Sequence, residues 1–254
     1  ISEGHLLFIL QQVKEVLAEA DYAVTFPTTG EFWTRAGMRV YPDRGTHIEI
    51  STPECGTFSE LVFQKNAGEA MLQALVATAR TALKAEPYFY EGPLEVIANN
   101  TAAANVVDDE NVLQPGEVTF SRHENYLLHR EILEGQYRAG TPFGYIFGET
   151  GPFFIARPVI GGSGHITSKG EFIISPRADW TAGTVGGLTV KGRTLINSRD
   201  EPHAQAEKFL RYHHIAGDTN ITDNITELKI AFTYWVLRLV ERGWKAPDWL
   251  KMSD

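Results

Sequence analysis

The chain has 254 residues, 43% hydrophobic and 22% charged, which suits an ordinary soluble globular protein of one large domain or one and a half with a substantial core. A formal charge of −9 argues against nucleic acid as the main partner, since phosphate binding needs a basic face. No apolar run approaches membrane-spanning length, and the single cysteine, Cys55, excludes an internal disulfide and points to a reducing, cytoplasmic compartment.

The chain starts at Ile1 without methionine and runs straight into a helix, Glu3 to Glu19, so it reads as trimmed at both ends. Leu6, Leu7, Ile9, Leu10, Val13, Val16 and Leu17 recur at helical spacing on its buried stripe. Residues 38–43 and 47–52 read as two short strands joined across Arg44-Gly45-Thr46. Thr57 followed by Glu60 is a capping-box pattern and introduces a long helix from Phe58 to about Ala85. Its apolar side carries Leu61, Val62, Leu72, Leu75 and Val76. Strand-like segments follow at Leu94–Ala98, Thr119–Leu128, Phe153–Ile160, Gly170–Ser175 and Arg193–Ile196, with a polar loop expected at Asp108–Gly116. A helix from about Ala204 to His214 and a strongly apolar one from about Asn224 to Arg242 complete the pattern, and Pro247-Asp248-Trp249 opens a further element. Strands without βαβ spacing, with helices inserted in blocks, imply α+β with an antiparallel sheet.

Two segments carry chemistry. Alternate residues of a strand share a face, so a three-residue loop at 44–46 pairs Asp43 with His47 and Tyr41 with Glu49. One face then bears Arg39, Tyr41, Asp43, His47 and Glu49, while Val40, Ile48 and Ile50 point the other way. Clustered carboxylates on one sheet face can hold a divalent metal and, through it, the phosphates of a nucleotide. A two-residue loop would split the set between opposite faces. The second segment, Ile196-Asn197-Ser198-Arg199-Asp200-Glu201-Pro202-His203, offers a guanidinium, two carboxylates and an imidazole behind a strand. That inventory suits a place where metal and phosphate meet, although a solvated loop leading into a helix is the plain alternative. Weaker candidates are Arg122-His123-Glu124-Asn125-Tyr126, where either His123 or Glu124 can share the site face but not both, and Asn99-Asn100-Thr101. The run Gly161-Gly162-Ser163-Gly164 lacks the Lys-Ser/Thr pair of a phosphate loop and reads better as a turn.

Together these blocks resemble the family of Pup ligases and Pup deamidase/depupylases, enzymes that attach or remove a small ubiquitin-like protein. The resemblance rests on Arg39-Val40-Tyr41-Pro42-Asp43, Gly45-Thr46-His47-Ile48-Glu49, Thr52-Pro53-Glu54-Cys55, Asn99-Asn100-Thr101 and His123-Glu124-Asn125-Tyr126-Leu127. It is strongest at Ile196 to Ala204, Ala206-Glu207-Lys208 and Gly217-Asp218-Thr219-Asn220. It implies a glutamine synthetase-like fold, an antiparallel sheet forming a cradle for ATP and magnesium with helices on its convex side, and one catalytic domain over residues 1–254. It further implies Asp43 as catalytic base, Tyr41 and Glu49 facing magnesium, and Arg39 and Thr52 contacting ATP. Arg199 would complete the phosphate side and His203 the metal side. The family's first strand, with its Gly-x-Glu-x-Glu metal ligands, and most of its C-terminal region fall outside this chain. Ala102 stands where the family usually has Asp, and Ile48-Glu49-Ile50 replaces Pro-Glu-Tyr, which points to a divergent branch.

The implied partners are a small Pup-like protein and lysine-bearing targets. ATP would phosphorylate a C-terminal glutamate side chain and a lysine amine would attack the acyl phosphate. Run with water, the same site would deamidate or cut the isopeptide bond. Arg177-Ala178-Asp179-Trp180 leans towards the deamidase pattern and Glu54-Cys55 towards the ligase. An inactive nucleotide-binding scaffold is the reading from a different class.

Overall fold

The computed structural model describes residues 3–19, 23–25, 30–43, 47–85, 104–107, 113–118, 121–134, 141–166, 169–188, 193–220 and 222–251. The strand expected at 94–98, the Asn99-Asn100-Thr101 turn, Ala102 and residues 108–112 of the expected loop lie outside them. Contacts gather the chain into two compact units, residues 1–98 with 106–115, and 99–105 with 116–254.

The first unit opens with helix α1 (Glu3–Glu19), at the bounds its apolar spacing predicts. Strands β1 (Ala23–Thr25), β2 (Phe32–Thr34), β3 (Arg39–Asp43) and β4 (His47–Ser51) form an antiparallel sheet in that order. Phe32 and Val40, paired across β2 and β3, are fully buried against Leu10, Val13 and Leu75. Gly37 makes the β2–β3 turn at φ +86°, a left-handed conformation in which a Cβ is strained. Helix α2 (Phe58–Ala85) starts as the Thr57/Glu60 pattern requires: the Glu60 amide donates to Thr57 Oγ1 at 3.1 Å, and the Gly56 amide donates to Glu60 Oε2 at 2.8 Å. Leu75 of α2 is buried in the core and Leu72 packs against it, while Leu61 and Val62 are half-buried.

Strands β5 (Ala104–Val107) and β6 (Leu113–Val118) pair with each other. Residues 113–116 are therefore strand, not loop.

The second unit is built on a sheet of order β10-β11-β12-β7. Its members are β7 (Arg122–His129), β10 (Gly183–Gly186), β11 (Thr194–Asn197) and β12 (Phe209–Gly217). β12 is antiparallel to both β7 and β11, but β10 and β11 are parallel, so the sheet is mixed and the fold is α+β. The short helix α3 (Arg130–Glu134) follows β7 directly. Helices α4 (Pro142–Gly161) and α5 (Asp223–Glu241) pack on one face of the sheet, where Phe154 meets Tyr212 and His214 at ring separations of 5.7 and 5.1 Å. A small two-stranded pair, β8 (His165–Ile166) and β9 (Phe172–Ile173), completes it.

Three expectations are corrected here. Residues 153–160 are the C-terminal half of α4, not a strand. The helix starts at Pro142, which needs no amide partner, and Thr141 caps it by accepting from the Gly144 amide at 3.1 Å. The expected helix at 204–214 is instead a turn followed by β12, whose buried residues Leu210, Tyr212 and His214 alternate at period two. Pro247-Asp248-Trp249 forms a turn, closed by the Leu250 amide donating to the Pro247 carbonyl at 2.8 Å.

Candidate functional site

In the first unit, the β3–β4 register pairs Arg39 with Ser51, Tyr41 with Glu49 and Asp43 with His47. That is the register a three-residue loop dictates. Val40, between Arg39 and Tyr41, is buried in the core, so those two side chains stand on the opposite face. Arg39 is fixed in place: its Nε donates to Glu31 Oε1 at 2.8 Å, and its guanidinium lies 4.2 Å from the Tyr41 ring centre. The hydrogen bond from Arg39 holds the Glu31 carboxyl below its ordinary range, and Glu31 in turn raises Arg39. Tyr41 stands directly opposite Glu49 in the β3–β4 register. Burial and the Glu49 charge push its pKa well up, so the phenol stays neutral beside that carboxylate. Asp43 is exposed at the end of β3, and Thr52 is half-buried just beyond β4.

In the second unit, the face of the sheet away from α4 and α5 carries His123 and Asn125 of β7 beside Arg211 and His213 of β12. His123 and His213 meet edge to face at 5.2 Å, and Arg211 Nε donates to Asn125 Oδ1 at 2.7 Å. Burial, Arg211, His123 and Arg199 together press His213 down to about 2, so it is a neutral imidazole at any working pH. Asn197, next to His213 across β11, accepts from the Arg199 amide at 3.0 Å, and Arg199 Nε donates to the Gly187 carbonyl at 3.1 Å. Arg199 and His203 are both exposed on the loop that follows β11. The loop's carboxylates serve its own shape. Asp200 pairs with Arg130 at 2.7 Å and Glu201 approaches Arg211 at 3.8 Å.

Glu124 points to the other face, as alternation requires when His123 faces away from α4 and α5. It is 6% exposed and accepts two bonds from the buried Arg157, at 2.7 and 2.8 Å, and one from Tyr126 at 2.7 Å. Burial would raise its carboxyl, but Arg157 and Lys229 hold it well below the usual carboxylate range. His214 Nδ1 lies 3.2 Å from Arg157 Nη2 and accepts from it, which places the imidazole proton on Nε2. Lys229 is 2% exposed and donates to the Asp218 carbonyl at 2.5 Å; burial lowers it to about 8. This network braces α4 and α5 against the sheet.

The glycine run at 161–164 ends α4, and three of its amides are taken up by the protein's own acceptors. The Gly162 amide donates to the Pro158 carbonyl at 2.7 Å, the Ser163 amide to Asp218 Oδ2 at 3.3 Å and the Gly164 amide to the Ile174 carbonyl at 2.8 Å. Among the described residues, no three His, Cys, Asp or Glu side chains converge on a metal-sized site. Magnesium nevertheless takes only one or two protein carboxylates and keeps waters and substrate phosphates, and the half-buried Glu49 carboxylate fits that role. No described helix is long and apolar enough to cross a membrane.

The model of the Pup-ligase protein family matches residues 10–254. The chain belongs to that family. Among similar Pup ligases, the Pup–protein ligase of Nocardioides sp. is 35% identical over 223 residues, which is 87% of this chain and 44% of that protein. The Pup–protein ligase of Geodermatophilus obscurus is 34% identical over the same shares. The structure of the Pup ligase PafA in complex with ADP matches at a TM-score of 0.62 and 26% identity, over 93% of this chain and 46% of that one. The complex between the protein Pup and its ligase PafA matches at 0.63 and 26%, over 94% and 42%. The chain thus spans about half the length of the Pup ligases it matches.

The sequence reading left out Arg130, Arg211 and His213. The signal for Arg211 and His213 was the period-two alternation of Phe209–Gly217, hidden by the helix-favouring Ala206-Glu207-Lys208 just before it.

Proposed function

We propose that this chain carries the nucleotide and acid–base side of an ATP- and magnesium-dependent ligase. It would join the C-terminal glutamate side chain of a small Pup-like protein to lysines of target proteins. The observation that carries the reading is the β3–β4 register, which gathers Arg39, Tyr41 and Glu49 on one face in the family's own order, with Asp43 at the strand end.

In this reading Arg39 and Thr52 hold the nucleotide and Arg199 grips its phosphates through the planar guanidinium fork. Glu49 would be the carboxylate for magnesium and His203, in the second unit, a further ligand; the ion, when bound, would neutralise phosphate charge. The γ-phosphoryl group passes from ATP to the glutamate carboxylate and ADP leaves. The lysine amine attacks the acyl carbon, the bond to the phosphate oxygen breaks, phosphate departs, and Asp43 takes the amine proton. Use of ATP and the single cysteine are consistent with work in the cytoplasm.

The test is transfer by the full-length protein from ATP and a glutamate-tailed peptide to a lysine acceptor, with a glutamine-tailed peptide run in parallel. An isopeptide product that requires ATP supports the ligase reading. Ammonia released from the glutamine tail, without transfer, would assign the site to hydrolysis.

A further inference from the structure

The loop carrying Arg199 and His203 has two non-glycine residues in left-handed backbone, Asp200 at φ 52° and His203 at φ 51°. Such conformations cost free energy and persist where surrounding contacts over-determine them. For Asp200 the contacts come largely from one side chain. Arg130, at the junction of β7 and α3, donates through Nη2 to Asp200 Oδ2 at 2.7 Å and to the Phe209 carbonyl at 3.0 Å. Its Nε donates to the Ala206 carbonyl at 2.9 Å, and its own amide donates to the Lys208 carbonyl at 2.8 Å. One guanidinium therefore spans both the start and the end of the loop. The Arg211 amide adds a 3.3 Å bond to Asp200 Oδ1, and Arg211 Nη1 a 3.4 Å bond to the Glu201 carbonyl.

We infer that Arg130 is a positioning residue for nucleotide binding: it fixes the Asp200 turn and so sets the direction in which Arg199 meets the phosphates. This rests on the reading of Arg199 as a phosphate contact. Arg130 spends three of its roughly five donors within the loop and acts through Arg199. Lysine cannot replace it, because a single ammonium lacks the rigid fork that reaches three acceptors in different directions.

The experiment measures ADP affinity in the presence of magnesium, and KM for ATP, in the full-length protein. Arg130→Met weakens ADP binding about tenfold, the scale on which groups that orient a ligand-binding side chain act, and raises KM for ATP similarly with kcat within twofold. Arg130→Lys recovers only part of the loss. Arg130→Met combined with Arg199→Met binds ADP no more weakly than Arg199→Met alone, since the clamp works through that residue. Asp200→Gly keeps the left-handed backbone but loses the carboxylate anchor, and weakens ADP several-fold; it decides the matter if Arg130→Met fails to fold. ADP affinity within twofold of wild type in Arg130→Met or Asp200→Gly, or fully multiplicative losses in the double variant, would overturn the inference while leaving Arg199 in place. Wild-type ADP affinity in Arg199→Met would instead remove Arg199 from the nucleotide site, and the role of Arg130 with it.

Discussion

Tyr41 and Glu49 face each other across β3 and β4, and the carboxylate's charge helps to keep the phenol neutral. Glu49→Gln removes the charge that would meet magnesium and should weaken magnesium-dependent ATP binding strongly. Tyr41→Phe removes only a neutral hydroxyl opposite the carboxylate and should weaken it less. Titration of both variants with Mg-ATP checks the order; equal affinities in Glu49→Gln and wild type would place the metal elsewhere. On the helix side of the second unit, Arg157 is the main counter-ion of the buried Glu124. Arg157→Met strands that carboxylate and should cost about 3–5 kcal/mol in denaturant unfolding. A loss below about 1 kcal/mol would mean that Lys229 alone compensates Glu124.

Among the elements, those with one clean period were legible in the sequence: α1, α2, α5 and the β3–β4 hairpin. Phe153–Ile160 misled because Phe, Ile and Val favour strands locally, whereas the helix is set by Thr141 and Pro142 a dozen residues upstream and by burial of Phe143, Ile146, Phe147 and Phe154. Phe209–Gly217 misled in the opposite direction, and with it went the shared face of His123, Asn125, Arg211 and His213. The candidate site was legible where alternation carried it, as for Arg39, Tyr41 and Glu49. It was not legible where a side chain acts across distant segments, as Arg130 does on Asp200. The bulge between His214 and Gly217 lets the chain pass close over the Glu124–Arg157 pair. A Cβ on Gly217 would meet the Arg122 carbonyl at 2.7 Å and both charged partners at 3.0 Å. Gly217→Ala should therefore lower Tm by several degrees, more than a typical surface substitution would; an unchanged Tm would show that the bulge yields freely.

For the whole molecule, the buried ionisable groups set how stability follows pH. His213 and His214 are neutral in the folded state, with pKa values below the ordinary histidine value. Their contribution is present above about pH 6.5, the ordinary unfolded value, and is lost as pH falls, because the unfolded chain takes up protons that the folded one refuses. Glu124, held low by Arg157 and Lys229, extends that loss through the carboxylate range. Lys229, depressed from 10.5 to about 8, works at the other end. Between those values the unfolded state binds the extra proton, so stability rises with pH by up to about 3 kcal/mol. Urea midpoints should therefore fall from pH 7 to 5 and rise from pH 8 to 10, with the alkaline rise absent in Lys229→Met. A rise that survives in Lys229→Met would assign it to another group.

The central claim is that Asp43, at the exposed end of β3, takes the proton of the attacking amine. The most direct measurement is single-turnover transfer from ATP and a glutamate-tailed peptide to a lysine acceptor by full-length wild type and Asp43→Asn, with ATP affinity measured in the same samples. Asparagine keeps the shape and removes the proton acceptor, so the account predicts wild-type ATP affinity with transfer slowed by about 10²–10⁴-fold. Transfer within a factor of a few of wild type, with ATP bound equally well, would contradict it.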